Sequence, residues 1–171
     1  MSTLERIIKE ISESHKTLWI LCGLPYSGKS YLAGKILENT SAAYVSIDKI
    51  LKSRGFDWDS NKLPDENEWK EIFYISYKES QEALRSGLVV LYDSTNHTKA
   101  SRDMLRKIAH EVGAETQVIY VDVLPEVIWK RWEESRASKN RSLVDKKLVE
   151  MTISSLEAPT SEEHVLCIIN N

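Results

Sequence analysis

A chain of 171 residues, 42% hydrophobic and 29% charged, is long enough to bury a sizeable core and has the composition of one soluble globular domain. Its net charge of −3 and isoelectric point near 5.9 argue against a general nucleic-acid coat protein, while leaving room for a local basic site. The cysteines, Cys22 and Cys167, both lie in apolar runs, so buried free thiols are expected and a disulfide is not.

The chain opens with MSTLERIIKEISESHK, where Leu4, Ile7, Ile8 and Ile11 share one helical stripe between charges. This predicts an amphipathic packing helix over 1–16, without the continuous apolar core of a secretion signal. No apolar run approaches membrane-spanning length, and a cytoplasmic protein is expected. TLWILC (17–22) reads as the first strand, apolar throughout as a strand buried on both faces should be. GLPYSGKS (23–30) follows, then a helix to about Asn39. AYVSI (43–47) predicts a second strand that delivers Asp48 at its end, and residues 51–64 are expected to be irregular. The next helix opens at Asp65, with Glu68 completing a capping box. Trp69, Ile72, Phe73, Tyr77 and Leu84 hold one face of it, and Gly87 closes it. LVVLYD (88–93) is the third strand, with Asp93 at its exit. A helix from about Lys99 presents Leu105, Ile108, Ala109 and Val112 and stops at Gly113. TQVIYVD (116–122) is the fourth strand, 125–137 and 143–156 read as helices joined by the polar SKNRS, and HVLCII (164–169) is the last strand. No internal repeat or low-complexity segment interrupts this order, and residues 1–171 are expected to form a single domain.

Apolar strands alternating with helices imply an α/β fold with a parallel sheet covered on both faces. In such sheets ligands gather beyond the carboxyl ends of the strands, so the residues there carry the chemistry. The stretch 23–30 has the spacing G-x-x-x-x-G-K-[ST], with Gly23, Gly28, Lys29 and Ser30 at the fixed positions. Its glycines let successive N–H groups converge on an anion, and the following helix adds its positive end. By this motif Lys29 reaches the β- and γ-phosphates of a bound nucleotide, and the Ser30 hydroxyl ligates Mg²⁺. Gly23, Leu24, Pro25, Tyr26, Ser27, Gly28, Lys29, Ser30 and Tyr31 are thus the predicted nucleotide-binding residues.

Asp93 and Asp122 both end apolar strands, and the pattern alone does not choose which of them steadies the magnesium shell. Asp48 stands where an acceptor hydroxyl approaches the γ-phosphate and is the candidate to take its proton. His97 lies near the same edge and is expected to be a packing or surface residue. The stretch KRWEESRASKNRSLVDKK (130–147) is basic, and Arg131 and Arg136 are the candidates for a lid over the triphosphate. A GTP-dependent switch is not expected, because NKLPD (61–65) has the wrong spacing and position for a guanine-reading motif. A module that binds ATP without an acceptor reaction stays open.

Together LCGLPYSGKS, YVSIDKI, LVVLYDSTN and VIYVDVLPEVIWKRWEESR resemble the P-loop kinases related to the kinase domain of polynucleotide 5′-hydroxyl kinase, with zeta-toxin and chloramphenicol-phosphotransferase kinases as more distant kin. The resemblance runs from about residue 17 to 160. It implies a three-layer P-loop fold with strand order 2-3-1-4-5 and an arginine-bearing helical lid over about 125–156. It further implies ATP and Mg²⁺ as cofactors, Asp48 as general base, Asp93 as the aspartate of the D-[ST]-x-N block, and Lys29, Arg131 and Arg136 as catalytic residues. The implied reaction is transfer of the γ-phosphoryl group to a hydroxyl acceptor. Polynucleotide kinases carry an arginine three residues after the base aspartate, where this chain has Leu51, with Lys49, Lys52 and Arg54 nearby. Their lid arginines are four apart, and here they are five. A small acceptor is therefore expected, with a nucleic-acid 5′ end allowed but not favoured. The aromatic and acidic residues of SRGFDWDSNKLPDENEW are expected to wall the acceptor pocket, although its tryptophans would serve equally as core.

Overall fold

The computed structural model describes residues 1–59, 62–138 and 142–169. The polar joint at 139–141, Asn61 of the NKLPD stretch and the thiol of Cys167 lie outside the described residues. The apolar run at 17–22 becomes the centre of the sheet: β1 (Thr17–Cys22) is buried at every position. It pairs in parallel with β3 (Val90–Asp93) on one side and β4 (Glu115–Asp122) on the other. The edges are β2 (Ala43–Ser46) beside β3 and β5 (Val165–Ile169) beside β4, giving the order β2-β3-β1-β4-β5. That is the implied order, and all pairings are parallel.

Alternating side chains send two sets of apolar residues to opposite faces. On one face Leu18, Ile20, Val45, Tyr92 and Val118 pack against α3 (Ile47–Ser53), α4 (Glu66–Arg85) and α5 (Lys99–His110). On the other Trp19, Leu21, Leu91 and Ile119 meet Ile7 and Ile11 of α1 (Thr3–Glu13) and Ala33 and Ile36 of α2 (Lys29–Leu37). A third cluster joins Leu24, Tyr26 and Val121 to Ile128 and Trp132 of α6 (Pro125–Ser138) and Val149 of α7 (Lys146–Ser154). It anchors the α6–α7 pair beside the phosphate loop.

Local signals explain the helix starts. Asp65 and Glu68 form the expected capping box, each side chain accepting from the other's backbone N–H at 2.8 Å. The second strand is shorter than predicted and a helix replaces the start of the irregular segment. Ser46 explains the change: its hydroxyl accepts from Lys49 N–H, capping α3 one residue past the strand. Asp48 therefore lies in the first turn of a helix rather than at a strand end. Likewise Asp145 accepts from the N–H groups of Lys147 and Leu148, so α7 begins at 146, three residues later than predicted. The third strand begins at Val90, because Gly87 turns the chain at φ +80° and leaves Leu88 exposed.

Candidate functional site

The turn after β1 needs its glycines. At Gly23 (φ +155°) a Cβ would fall 2.8 Å from the Val121 carbonyl oxygen, closer than real contacts allow. Gly28 (φ +100°) starts α2 in the left-handed region with no side-chain cap, so the positive end of the helix is presented to the loop. Tyr26 is also left-handed, at φ +64°, which costs energy for a non-glycine residue. Its buried ring packs into the third cluster, and its hydroxyl accepts from Val144 N–H at 2.9 Å, which holds it there. Lys29 is buried, and its Nζ donates to the Leu24 carbonyl at 2.7 Å, folded back over the loop.

The choice between the two strand-end aspartates is geometric. Leu21 of β1 lies directly opposite Asp93 of β3, so Asp93 emerges next to the phosphate loop. Its Oδ2 accepts from Ser30 Oγ at 3.0 Å and from Tyr44 OH at 2.6 Å. Asp122 instead is exposed and accepts from Tyr120 OH at 3.2 Å. Burial, then the charge of Asp93, pushes the Tyr44 phenol well above its ordinary range, so it stays a donor. Among the described residues no group of three or more His, Cys, Asp or Glu side chains could hold a metal. One hydroxyl beside one carboxylate is the donor set that suits Mg²⁺, which keeps most of its waters and borrows the rest from phosphate.

A cavity of about 930 Å³ opens above this edge. Lys29, Ser30, Asp93, Thr95 and His97 line it, together with Asp48, Lys52, Trp58, Leu63, Trp69 and Phe73. Val144, Asp145 and Leu148, at and just before the start of α7, line it too. Asp48 Oδ1 accepts from the Trp58 indole N–H at 3.1 Å. The rings of Trp58, Trp69 and Phe73 follow one another at centroid spacings of 6.0 Å, so the tryptophans of the acidic segment line the cavity while also packing against the core. Leu51 is fully buried in that core, and the next residue, Lys52, faces the cavity. Asp59 Oδ1 accepts from Leu143 N–H at 2.7 Å, tying this wall to the segment before α7.

The two lid arginines are not equivalent. Arg131 Nη1 donates to the carbonyls of Tyr26 and Ser27 at 3.1 and 3.2 Å, against the phosphate loop. Arg136 pairs with Glu133 at 2.7 Å on the surface of α6, with its guanidinium 5.2 Å from the Trp132 ring centroid. Tyr31 is also exposed and does not line the cavity. His97 Nδ1 shares a hydrogen bond with Thr95 Oγ1 at 3.2 Å. Burial, then the charges of Arg102 and Lys29, lower its pKa, so the ring is neutral near pH 7.

Beneath the loop lies a brace that sequence reasoning missed. Asn96 (φ +43°) donates to the Leu21 carbonyl at 2.7 Å, fixing the turn after β3 against β1. Arg102, fully buried, donates to the Asn96 carbonyl and makes two bonds to Glu163, at 2.8 and 3.0 Å. Burial would raise the Glu163 pKa, but hydrogen bonds from Arg102 and Arg106 win and hold it at about 2. The Cys22 thiol sits beside this pair; burial outweighs the nearby cations and pushes its pKa up to about 11, so it is an inert thiol.

The glycine loop, the Ser30–Asp93 pair and the 2-3-1-4-5 sheet define a P-loop nucleotide-binding protein of the kinase-like type. The family model of the AAA domain matches residues 18–159, and the chain belongs to that family. It is 26% identical over 147 residues to a Protein KTI12 homolog of Arabidopsis thaliana, covering 83% of this chain. The chain spans 47% of that relative, about half its length. Its fold is similar to a putative kinase of Chloroflexus aurantiacus (TM-score 0.69, 16% identity, 90% of this chain and 87% of the other). It is similar in the same way to Chaetomium thermophilum Kti12 in complex with ADP-AlF3 (TM-score 0.66, 19% identity, 89% and 88%). No helix among the described residues is long and apolar enough to cross a membrane.

Proposed function

We propose that this protein binds ATP with Mg²⁺ and transfers the γ-phosphoryl group to a hydroxyl held beside Asp48. One observation carries the reading: Lys29, Ser30, Asp93 and Asp48 all border the same cavity. The loop backbone, the start of α2 and Lys29 hold the phosphates, with Lys29 leaving the Leu24 carbonyl to do so. Ser30 and Asp93 hold the magnesium, which when bound neutralises charge on the departing phosphate oxygens. Asp48 takes the acceptor's proton. The Trp58 indole N–H occupies its Oδ1 and orients the carboxylate, which leaves Oδ2 for the hydroxyl. Arg131 exchanges two loop carbonyls for phosphate oxygens, where its planar fork gains strength as charge develops. The aromatic wall and its border of carboxylates suit a small polar acceptor better than a polyanion, with a nucleic-acid 5′ end as the next choice.

A second reading, an ATP-binding module without an acceptor, draws on the likeness to Kti12, a protein seen with ADP-AlF3. The two separate in one assay. With γ-labelled ATP and a panel of nucleosides, sugars, antibiotics and nucleic-acid ends, a kinase labels an acceptor, and a module releases inorganic phosphate at best. An unchanged melting curve in millimolar ATP–Mg²⁺ overturns both, because any ligand of the folded state raises its stability by mass action.

A further inference from the structure

The geometry points to Tyr44 as a positioning residue for the magnesium-side carboxylate, a role that rests on the reading that ATP binds here with Mg²⁺. Tyr44 lies on β2, two residues before Ser46, and Ser46 is directly opposite Asp93 in the ladder. Side chains two apart on a strand share a face, so Tyr44 and Asp93 lie diagonally across adjacent strands, within reach of a long side chain. The phenol uses that reach: its hydroxyl donates to Asp93 Oδ2 at 2.6 Å, shorter than the 3.0 Å bond from Ser30.

Both donors fall on the same oxygen. With Ser30 alone, the carboxylate turns about its Cβ–Cγ bond while keeping one hydrogen bond. Adding Tyr44 from the neighbouring strand removes that freedom and holds the carboxylate in one orientation. The ring is itself fixed. Its apolar body packs against the α1–α2 side of the sheet, and Lys49 Nζ stands 4.5 Å from its centroid. Tyr44 is not among the residues that line the cavity, so it acts through Asp93.

The test is Tyr44→Phe, which removes one oxygen and keeps the ring. Calorimetric titration with ATP is run in EDTA and across a magnesium series, alongside the melting temperature. Groups that orient metal-site ligands typically control metal affinity by about 10–100-fold. The expected result is a magnesium half-saturation raised by about tenfold, with ATP affinity in EDTA within about twofold of wild type. An unchanged half-saturation overturns the inference, as does an equal loss of ATP affinity in EDTA, which would mark a general structural defect. If wild-type binding of ATP owes nothing to magnesium, the functional reading falls as well, a result read from the wild type alone.

Discussion

Around the glycine loop the cavity is lined from two short stretches, Pro25 to Ser30 after β1 and Asp93 to His97 at the end of β3. Around Asp48 the lining side chains arrive separately: Asp48 and Lys52 from α3, Trp58 and Leu63 from between α3 and α4, Trp69 and Phe73 from α4. The first group is shaped by backbone, by glycine conformation and by buried bonds, which on the proposed reading suits it to any triphosphate. The second is shaped by half-buried rings and one oriented carboxylate, features that on the same reading would select among acceptors.

Substitutions in each group test whether this division is functional. The largest effect is expected in the second group, from Asp48→Asn. It keeps size and removes basicity, so transfer should fall by about 10²–10⁴-fold while ATP affinity stays unchanged. Single-turnover transfer and calorimetry measure the two, and wild-type transfer would reduce Asp48 to a turn residue. Next comes Lys29→Ala in the first group. Losing one charged donor from the developing charge should lower kcat by about 10²–10³-fold. Unlike Asp48→Asn, it should also reduce the thermal shift given by ATP–Mg²⁺.

A third substitution separates support from chemistry. Glu163→Gln leaves Arg102 buried without its counter-charge, which typically costs about 3–5 kcal/mol. The Glu163 carboxyl, at about 2 in the folded protein, lies below the ordinary value of about 4.3. Its stabilisation is therefore complete above about pH 4.3 and is lost as pH falls through about 2. Acid denaturation should show that loss in wild type and not in Glu163→Gln. The smallest effect is expected from Arg136→Ala. It pairs with Glu133 on the exposed surface of α6 and does not line the cavity, so kcat should stay close to wild type. Arg131→Ala, beside the loop, should cost distinctly more, and equal losses would mean that α6 rearranges to bring both arginines to the phosphates.

The same contrast decided what could be read from the sequence. The glycine loop is contiguous and its spacing is a fixed motif, so Gly23, Gly28, Lys29 and Ser30 could be picked out at once, although Gly23 is required by Val121 of β4 and Ser30 meets Asp93 of β3. Strands buried on both faces announced themselves as unbroken apolar runs, which made the sheet legible too. The start of α3 was not, because the cap that launches it, Ser46, reads as one more residue of a strand. The choice of Asp93 over Asp122 needed the strand order, which came only through resemblance. Arg102 and Glu163 lie 61 residues apart and meet only through the fold, so no local pattern marked them as partners. Arg131 and Arg136 looked alike in a basic run, yet one turns to the loop and the other lies along its own helix.

The register between β2 and β3 has a further consequence. Ser46 pairs with Asp93, and Asp48 follows two residues later in a helix that Ser46 itself caps. The separation of the two carboxylates is therefore tied to the spacing of adjacent strands, about 4.8 Å per step across the sheet, and not to any loop. Trp58 and Leu63, which lie between α3 and α4 in the chain, line the cavity from outside that frame. The Trp58 indole reaches back to Asp48 across this boundary, so on the proposed reading a change at Leu63 leaves both carboxylates in place, whereas a change at Trp58 frees one of them.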